Sequence, residues 1–436
     1  MAKARVVTID KVLDLVKSNT EIVVGMAANE PKLFMNSLHT IANRVKNVTV
    51  TNCLPISNAA FFTNDEYRDA FNLDSWFHTK ALRKASKHGN VSFIPNHLHF
   101  AGSRRLDYKK PNIFITAATP PDKHGFMSLS TSNVYEKEMV EAADIVVFEI
   151  NPNFPRTFGE MEVHVNDVDY LVEVNYEVPT LPNIEPNEKD MVIGKLIAEK
   201  IHDGDSIQLG IGGIPNAVAK SLVHKKNLGI HTEMFTSGMI DLIEAGAVNG
   251  KMKTLHRGKH VCCFAMGTKE VYDYIDNNPS VMILPGSYVN DPAVMAKNDN
   301  QVSINSTIEI DLTGQCCSES IGTMQISGTG GQSDTAVGAQ NSKNGRSFIS
   351  LYSTTYIKNK ETGELEEVSK IVPVLKPGAA VSLSRNDVDY VVTEYGIVRL
   401  RGRNIKERAE LLISIAHPKF RESLRQDAVK AGYLYE

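Results

Sequence analysis

The sequence predicts an α/β protein made of two similar open α/β domains with mostly parallel sheets. Three observations carry that prediction. Short apolar runs alternate with helical patterns along the chain, as in repeated β-α-β units. One helix–strand–glycine–helix unit occurs twice. The 436 residues suffice for two to three domain cores at roughly 150 residues each.

The first unit is KVLDLVKSNTEIVVGMAANEPKLFMNSL, Lys11 to Leu38. It reads as helix, polar turn, an apolar strand ending at Gly25, and a helix opened near Pro31, where a missing N–H costs nothing. Further strands are predicted in NVTVTNCLP, NVSFIPNHL, PNIFITAAT and DIVVFEINP. VPTLPNIEPNEKD, Val178 to Asp190, is Pro-rich and polar, and divides the chain into domains 1–183 and 184–436. DMVIGKLIAEKI then places Met191, Leu196, Ile197 and Ile201 at helical spacing. The second unit, IGKLIAEKIHDGDSIQLGIGGIPNAVAKSL, repeats the first with Gly210 ending the strand and Pro215 opening the helix. Strands follow in SVMILPGS, RSFISLYST and VDYVVTEYG, and KNKETGELEE at 358–367 reads as an exposed hairpin or loop.

Composition excludes several classes. An apolar content of 42% with 22% charged residues is that of a soluble globular protein. A net charge of -4 provides no basic field, so nucleic acid is not an expected partner. No apolar run approaches the roughly 20 residues that cross a bilayer. MAKARVVTIDKVLDLVKS lacks a signal peptide's apolar region, so no membrane association and a cytoplasmic location are expected. Cys53, Cys262, Cys263, Cys316 and Cys317 show neither CxxC nor Cys/His spacing, and read as reduced, mostly buried small hydrophobes.

Three stretches can carry chemistry. In QLGIGGIPNAV, Gln208 to Val218, a strand runs through glycines into a helix and leaves backbone N–H groups free for an anion. Pro215 takes the place of the last glycine of a dinucleotide fingerprint, and the GK[ST] ending of a P-loop is absent. In SGTGGQSDTAVGAQ, Gly328, Gly330 and Gly331 allow a ligand close to the backbone, although such stretches are also often plain loops. In GIHTEMF, Glu233 leaves an apparent strand before the helix MIDLIEAG, with Thr236, Ser237 and Gly238 as cap candidates. A carboxylate there sits in the usual crevice of an open sheet, and taken alone a solvated glutamate explains it as well. His97 and His99 at i, i+2 would share a face of a strand, but no third ligand accompanies them and no metal is expected. The basic run Arg399 to Arg408 reads as a solvated helix start or as a contact for the acidic end of a nucleotide.

GMAANEP, PPDKHGFMSLS, EINPNFPRTFGE, QLGIGGIPNAV, GIHTEMF, SGTGGQSD, SRNDVDYVVTEYGIVRLRG and ERAELLISIAHPKFRESL follow one another in order. With them the chain resembles the acetyl-CoA hydrolase/transferase family, nearest its 4-hydroxybutyrate and butyryl-CoA:acetate CoA-transferase branch. The resemblance implies the NagB/RpiA/CoA-transferase-like fold and makes Glu233 the covalent nucleophile. It implies CoA contacts at Gly210, Ile211, Gly212, Gly213 and Ile214, at Ile308, and at Gly331, beside Gly328 and Gly330. It also marks Asn290 as an active-site polar residue. Gln208 at the same strand end is a candidate to steer the carboxylate, and Met26 a candidate wall of the acyl pocket.

The expected activity is ping-pong transfer of CoA between a 4-hydroxybutyrate- or butyrate-type acyl-CoA and acetate, with acyl-CoA and short-chain carboxylates as partners. No permanently bound cofactor is expected, and a homo-oligomer is. A dicarboxylate such as itaconate or succinate, hydrolysis by the same glutamate, and acyl-CoA binding without turnover stay open as alternatives. An unperturbed glutamate, at about 4.3, would be ionised at neutral pH. Where the family often shows GGQxDFxRGA this chain has Thr335 and Val337, and TSG at 236–238 replaces the usual SDG.

Overall fold

The computed structural model describes residues 4–359 and 362–435. Two sheets dominate it. The first has eight strands in the order Arg5–Val6, Tyr170–Glu173, Ile145–Ile150, Ile113–Ala118, Glu21–Val24, Val48–Asn52, Phe71–Ser75, Val91–Phe93. Every neighbouring pair is parallel. Its central strand Ile113–Ala118 is buried at every position, as expected when helices cover both faces.

The second sheet has six strands in the order Gly229–Ile230, Ser206–Leu209, Gln301–Ser306, Arg346–Ser350, Tyr390–Thr393, Gly396–Arg399. Its pairs are parallel except the last, a hairpin. A smaller sheet joins the halves, pairing Val281–Ile283 with both His260–Cys262 and Phe158–Gly159.

The repeat is present in three dimensions. Glu21–Val24 and Ser206–Leu209 are equivalent strands, followed by the helices Lys32–Ser37 and Gly213–Leu222. Pro31 is the N-cap of the first, and Pro215 is the third residue of the second, where the freed N–H is an orphan in any case. In the linker stretch, the helix Glu188–Ala198 already starts at Glu188. Asn187 and Asp190 form a reciprocal capping box at 3.0 and 2.9 Å. The apolar stripe of that helix differs from the one predicted. Ile193 and Ile197 are buried, whereas Met191 is 39% exposed. Gly194 abuts the Ala217 backbone, so Ile193 and Ile197 set the face towards Gly213–Leu222.

His97 does not lie on a strand. It is the N-cap of the short turn Leu98–Phe100, which places the two imidazoles by turn geometry. The hairpin at 358–367 pairs Thr354–Lys358 with Leu365–Ser369, and residues 360 and 361 of that stretch lie outside the described residues. The five cysteines are buried and unpaired. Among the described residues no helix is long and apolar enough to cross a membrane.

Candidate active site

The edge strand Gly229–Ile230 leads straight to Glu233, and the next strand, Met234–Phe235, pairs with Phe264–Ala265. The main chain of Glu233 is pinned there. Its carbonyl accepts the N–H of Cys263 at 3.0 Å and of Phe264 at 3.1 Å, and the Cys263 thiol at 3.2 Å. Its side chain is held too: Asn290 Nδ2 donates to Oε2 at 2.8 Å. Asn290 is fully buried after the turn Gly286–Val289, with its Oδ1 3.6 Å from the Cys263 Sγ.

Glu233 is partly buried, open only on its cavity side. Desolvation pushes its carboxyl up to about 7, helped by the negative charge of Asp334, while the hydrogen bonds from Asn290 and the Gly331 backbone oppose the rise. The expectation of an unperturbed carboxylate is thereby corrected: burial makes Glu233 a far weaker acid than a free glutamate.

Glycine is required beside it for a steric reason. A Cβ on Gly331 would fall on Glu233 Oε2 and Asn290 Nδ2. Gly330 has φ +52°, with only Phe77 and Glu233 near its missing Cβ. Gly328 is small for another cause, since a Cβ would strike the Trp76 carbonyl. The first half of the chain grips this loop. His78 N–H donates to the Ser327 carbonyl at 3.2 Å, Leu98 N–H to that of Gly330 at 3.2 Å, and Arg83 to that of Ile326 at 2.5 Å. In the other glycine loop Gly212 has φ +115° with open space around it, a conformation left to glycine.

Between the loops lies a cavity of about 250 Å³. Met26, Gln208, Gly210, Ile211, Glu233, Gly328, Gly330 and Gly331 all line it. Asn290 reaches it through Glu233, and Gly212 lines an adjoining cavity of about 380 Å³ that shares Ile211 and Met234 with the first. Gly213, Ile214 and Ile308 line neither of these. Gly213 rests on the Asp190 carboxylate, Ile214 is buried in the helix, and Ile308 donates its N–H to the Cys317 carbonyl. Gln208 faces the cavity, but its Oε1 accepts from Ser303 Oγ at 3.0 Å and Ile304 N–H at 3.1 Å, which ties it to the neighbouring strand.

The sequence reading missed Cys53, Leu54, Phe77 and Leu98, which form the far wall. They lie more than a hundred residues before Glu233, and nothing local marks them. It also missed Asp334, whose Oδ1 receives His99 Nδ1 at 2.8 Å. That contact occupies His99, and among the described residues no three His, Cys, Asp or Glu side chains group as metal ligands. Thr335 is buried, its Oγ1 accepting from Asn305 Nδ2 at 2.9 Å and lying 2.9 Å from Ser303 Oγ. Of the basic run, Arg408 is spent on the Thr313 and Arg385 carbonyls, and Arg399 on Asp389.

Comparison with known proteins agrees with this architecture. Residues 3–182 match the acetyl-CoA hydrolase/transferase N-terminal domain and residues 267–428 its C-terminal domain. The 4-hydroxybutyrate coenzyme A transferase of Clostridium kluyveri is 41% identical over 429 residues, covering 98% of both chains. The succinyl-CoA:cyclohexane-1-carboxylate CoA transferase of Geobacter metallireducens is 41% identical over 416 residues, covering 95% of this chain and 92% of that protein. RipA from Yersinia pestis superposes with a TM-score of 0.90 at 33% identity, covering 99% of this chain and 98% of that one. The chain therefore belongs to the acetyl-CoA hydrolase/transferase family.

Proposed function

We propose that this chain is a CoA-transferase that moves CoA between short-chain carboxylic acids, with Glu233 carrying the CoA between half-reactions. One observation carries the proposal. A carboxylate of raised basicity stands at the wall of a glycine-lined cavity, held by Asn290 and the Gly331 backbone. A higher pKa makes the ionised form a stronger nucleophile, and at about 7 roughly half of it is ionised at neutral pH.

In the first half-reaction Glu233 attacks the thioester carbonyl, giving an acyl-glutamyl anhydride and CoA thiolate. The thiolate then attacks the glutamyl carbonyl, the anhydride C–O bond breaks, and the first acid leaves. A Glu233–CoA thioester remains, and a second acid reverses the steps. When the thiolate adds, negative charge grows on the oxygen of Glu233 itself. Asn290 Nδ2 and the Gly331 N–H are already aimed at that carboxylate, so they act as the oxyanion donors of this step. The CoA chain enters along Gly210–Ile211–Gly212, at the junction of the two cavities. In this reading residues 1–183 supply the apolar wall and residues 184–436 the nucleophile.

The test is intact-mass analysis of the protein incubated with butyryl-CoA, followed by peptide mapping. A CoA adduct on the peptide containing Glu233 is expected, with none on Glu233→Gln. An adduct mapped to another residue refutes the assignment. CoA release that needs no added carboxylate would point to hydrolysis instead.

A further inference from the structure

Gly331 carries a demanding task in this site. Its N–H is aimed at the Glu233 carboxylate, yet it has no side chain to be held by, and it follows Gly330 in the chain. Glycine backbones are permissive, so a donor carried by two successive glycines is not fixed by its own stereochemistry. Groups outside the loop must hold it.

Two consecutive residues from the other half of the chain do so. Leu98 donates its N–H to the Gly330 carbonyl at 3.2 Å, just before Gly331. His99 grips Asp334, three residues after Gly331. Its backbone N–H donates to Oδ2 at 3.2 Å, and its Nδ1 lies 2.8 Å from Oδ1. Asp334 is buried in the first turn of the helix Gln332–Asn341, whose N-cap is Gly331. A regular helix start transmits the position of Asp334 back to that cap. A carboxylate only accepts, so the bond calls for the imidazole proton on Nδ1. His97 does not duplicate it, because its Nδ1 is 3.7 Å from the same oxygen, beyond hydrogen-bond range. The turn has a further anchor in its own half. Gln332 donates to the Ser306 carbonyl at 2.7 Å and accepts from Ser318 Oγ at 2.6 Å.

We propose that His99 is a positioning residue for the transfer reaction: with Leu98 it clasps the glycine loop across the two halves and holds the Gly331 N–H on Glu233. The inference rests on Glu233 as the nucleophile, and deepens that reading by giving a task to a side chain outside the reacting groups. His99 lines neither cavity, so it acts only through Asp334 and Gly331. Losing an oxyanion donor outright costs about 100- to 1000-fold. Gln332 still ties the turn down without His99, so a donor that is merely misplaced should cost less, at least about ten-fold.

The experiment compares the full-length wild type with His99→Asn and His99→Gln. Asparagine puts its NH2 where Nδ1 stands, whereas glutamine, one methylene longer, carries it past that point. Each protein is mixed with butyryl-CoA, and the rate of Glu233–CoA adduct formation is followed by quenched-flow intact mass, alongside the steady-state KM for butyryl-CoA. His99→Gln should slow the adduct at least about ten-fold with KM within about two-fold, and His99→Asn should stay within about three-fold of the wild type. A smaller slowing in His99→Gln, an equal rise in its KM, or an asparagine variant nearer to the glutamine variant than to the wild type overturns the inference. So does an equal slowing in His97→Gln, which would report general loosening of that segment. Should His99→Gln not fold, His99→Ala is read against the same thresholds. If every variant forms the adduct at the wild-type rate, only the clasp fails. If the wild type itself forms none, the Glu233 reading fails and takes this inference with it.

Discussion

Replacing Asn290 by Ala removes the side-chain hydrogen bond that Glu233 Oε2 accepts at 2.8 Å. That bond works against desolvation, which has raised the carboxyl to about 7. A hydrogen bond to a charged group contributes about 1.5–3 kcal/mol, and one pKa unit corresponds to about 1.36 kcal/mol. Losing it should lift the acid limb of the kcat/KM–pH profile by about one to two units. At pH 7 the ionised fraction then falls from about one half to between about one in ten and one in a hundred. Protonation alone therefore costs about 5- to 50-fold at neutral pH, and this part recovers as the pH rises.

The assay is the pH dependence of kcat/KM from about pH 5 to pH 10 for both proteins. A lower plateau at high pH, by roughly 100- to 1000-fold, would report the separate loss of an oxyanion donor. The position of the limb is the decisive reading. If it stays where it is in the wild type, or moves to lower pH, the electrostatic account of Glu233 is wrong whatever the plateau does.

Gly331→Ala places a Cβ on Glu233 Oε2 and Asn290 Nδ2. It should cost about 1–3 kcal/mol of stability and at least about a hundred-fold in turnover, and near-normal turnover with unchanged circular dichroism would refute the steric argument. Glu233→Gln should abolish transfer yet stabilise the fold at alkaline pH. Because the folded carboxyl is raised from 4.5 to about 7, the wild type loses stability as the pH climbs through that window and does not regain it above. Chemical denaturation at about pH 8 should show the variant ahead by up to about 3 kcal/mol, the difference fading towards about pH 4. Gly212→Ala meets no neighbour but must hold φ +115°, so it should cost about 1–3 kcal/mol locally. Its KM for acyl-CoA should rise while the Glu233 adduct still forms, and an unchanged KM would remove this loop from the CoA path.

Several elements were readable from residue order because their causes are local. Ile113–Ala118 and Ile145–Ile150 announce themselves as apolar runs. Glu233 stood out through its motif, and Gly331 through a resemblance. The limits are equally specific. Helical spacing picked Met191 for a stripe that Ile193 and Ile197 occupy, because the neighbouring helix Gly213–Leu222 decides which arc is covered. Gln208 does line the cavity, and only the adjacent strand shows that its Oε1 is held by Ser303 and Ile304. Ile308, Gly213 and Ile214 are not among the residues lining the two cavities, although Gly212 and Pro215 beside the last two are.

The order of residues alone settled the α/β class and the doubled helix–strand–glycine–helix unit, since each depends on neighbours a few positions apart; it set a carboxylate at the strand end, and only the family resemblance gave that carboxylate a role. Folding decided what that carboxylate is. Cys53, Leu54, Phe77 and Leu98 come from one half and the Gly328–Gly331 loop from the other, and only their meeting removes water from Glu233. Desolvation is a property of the surrounding volume, so no stretch of sequence contains it, and it turns an ordinary acid into a base poised near neutrality.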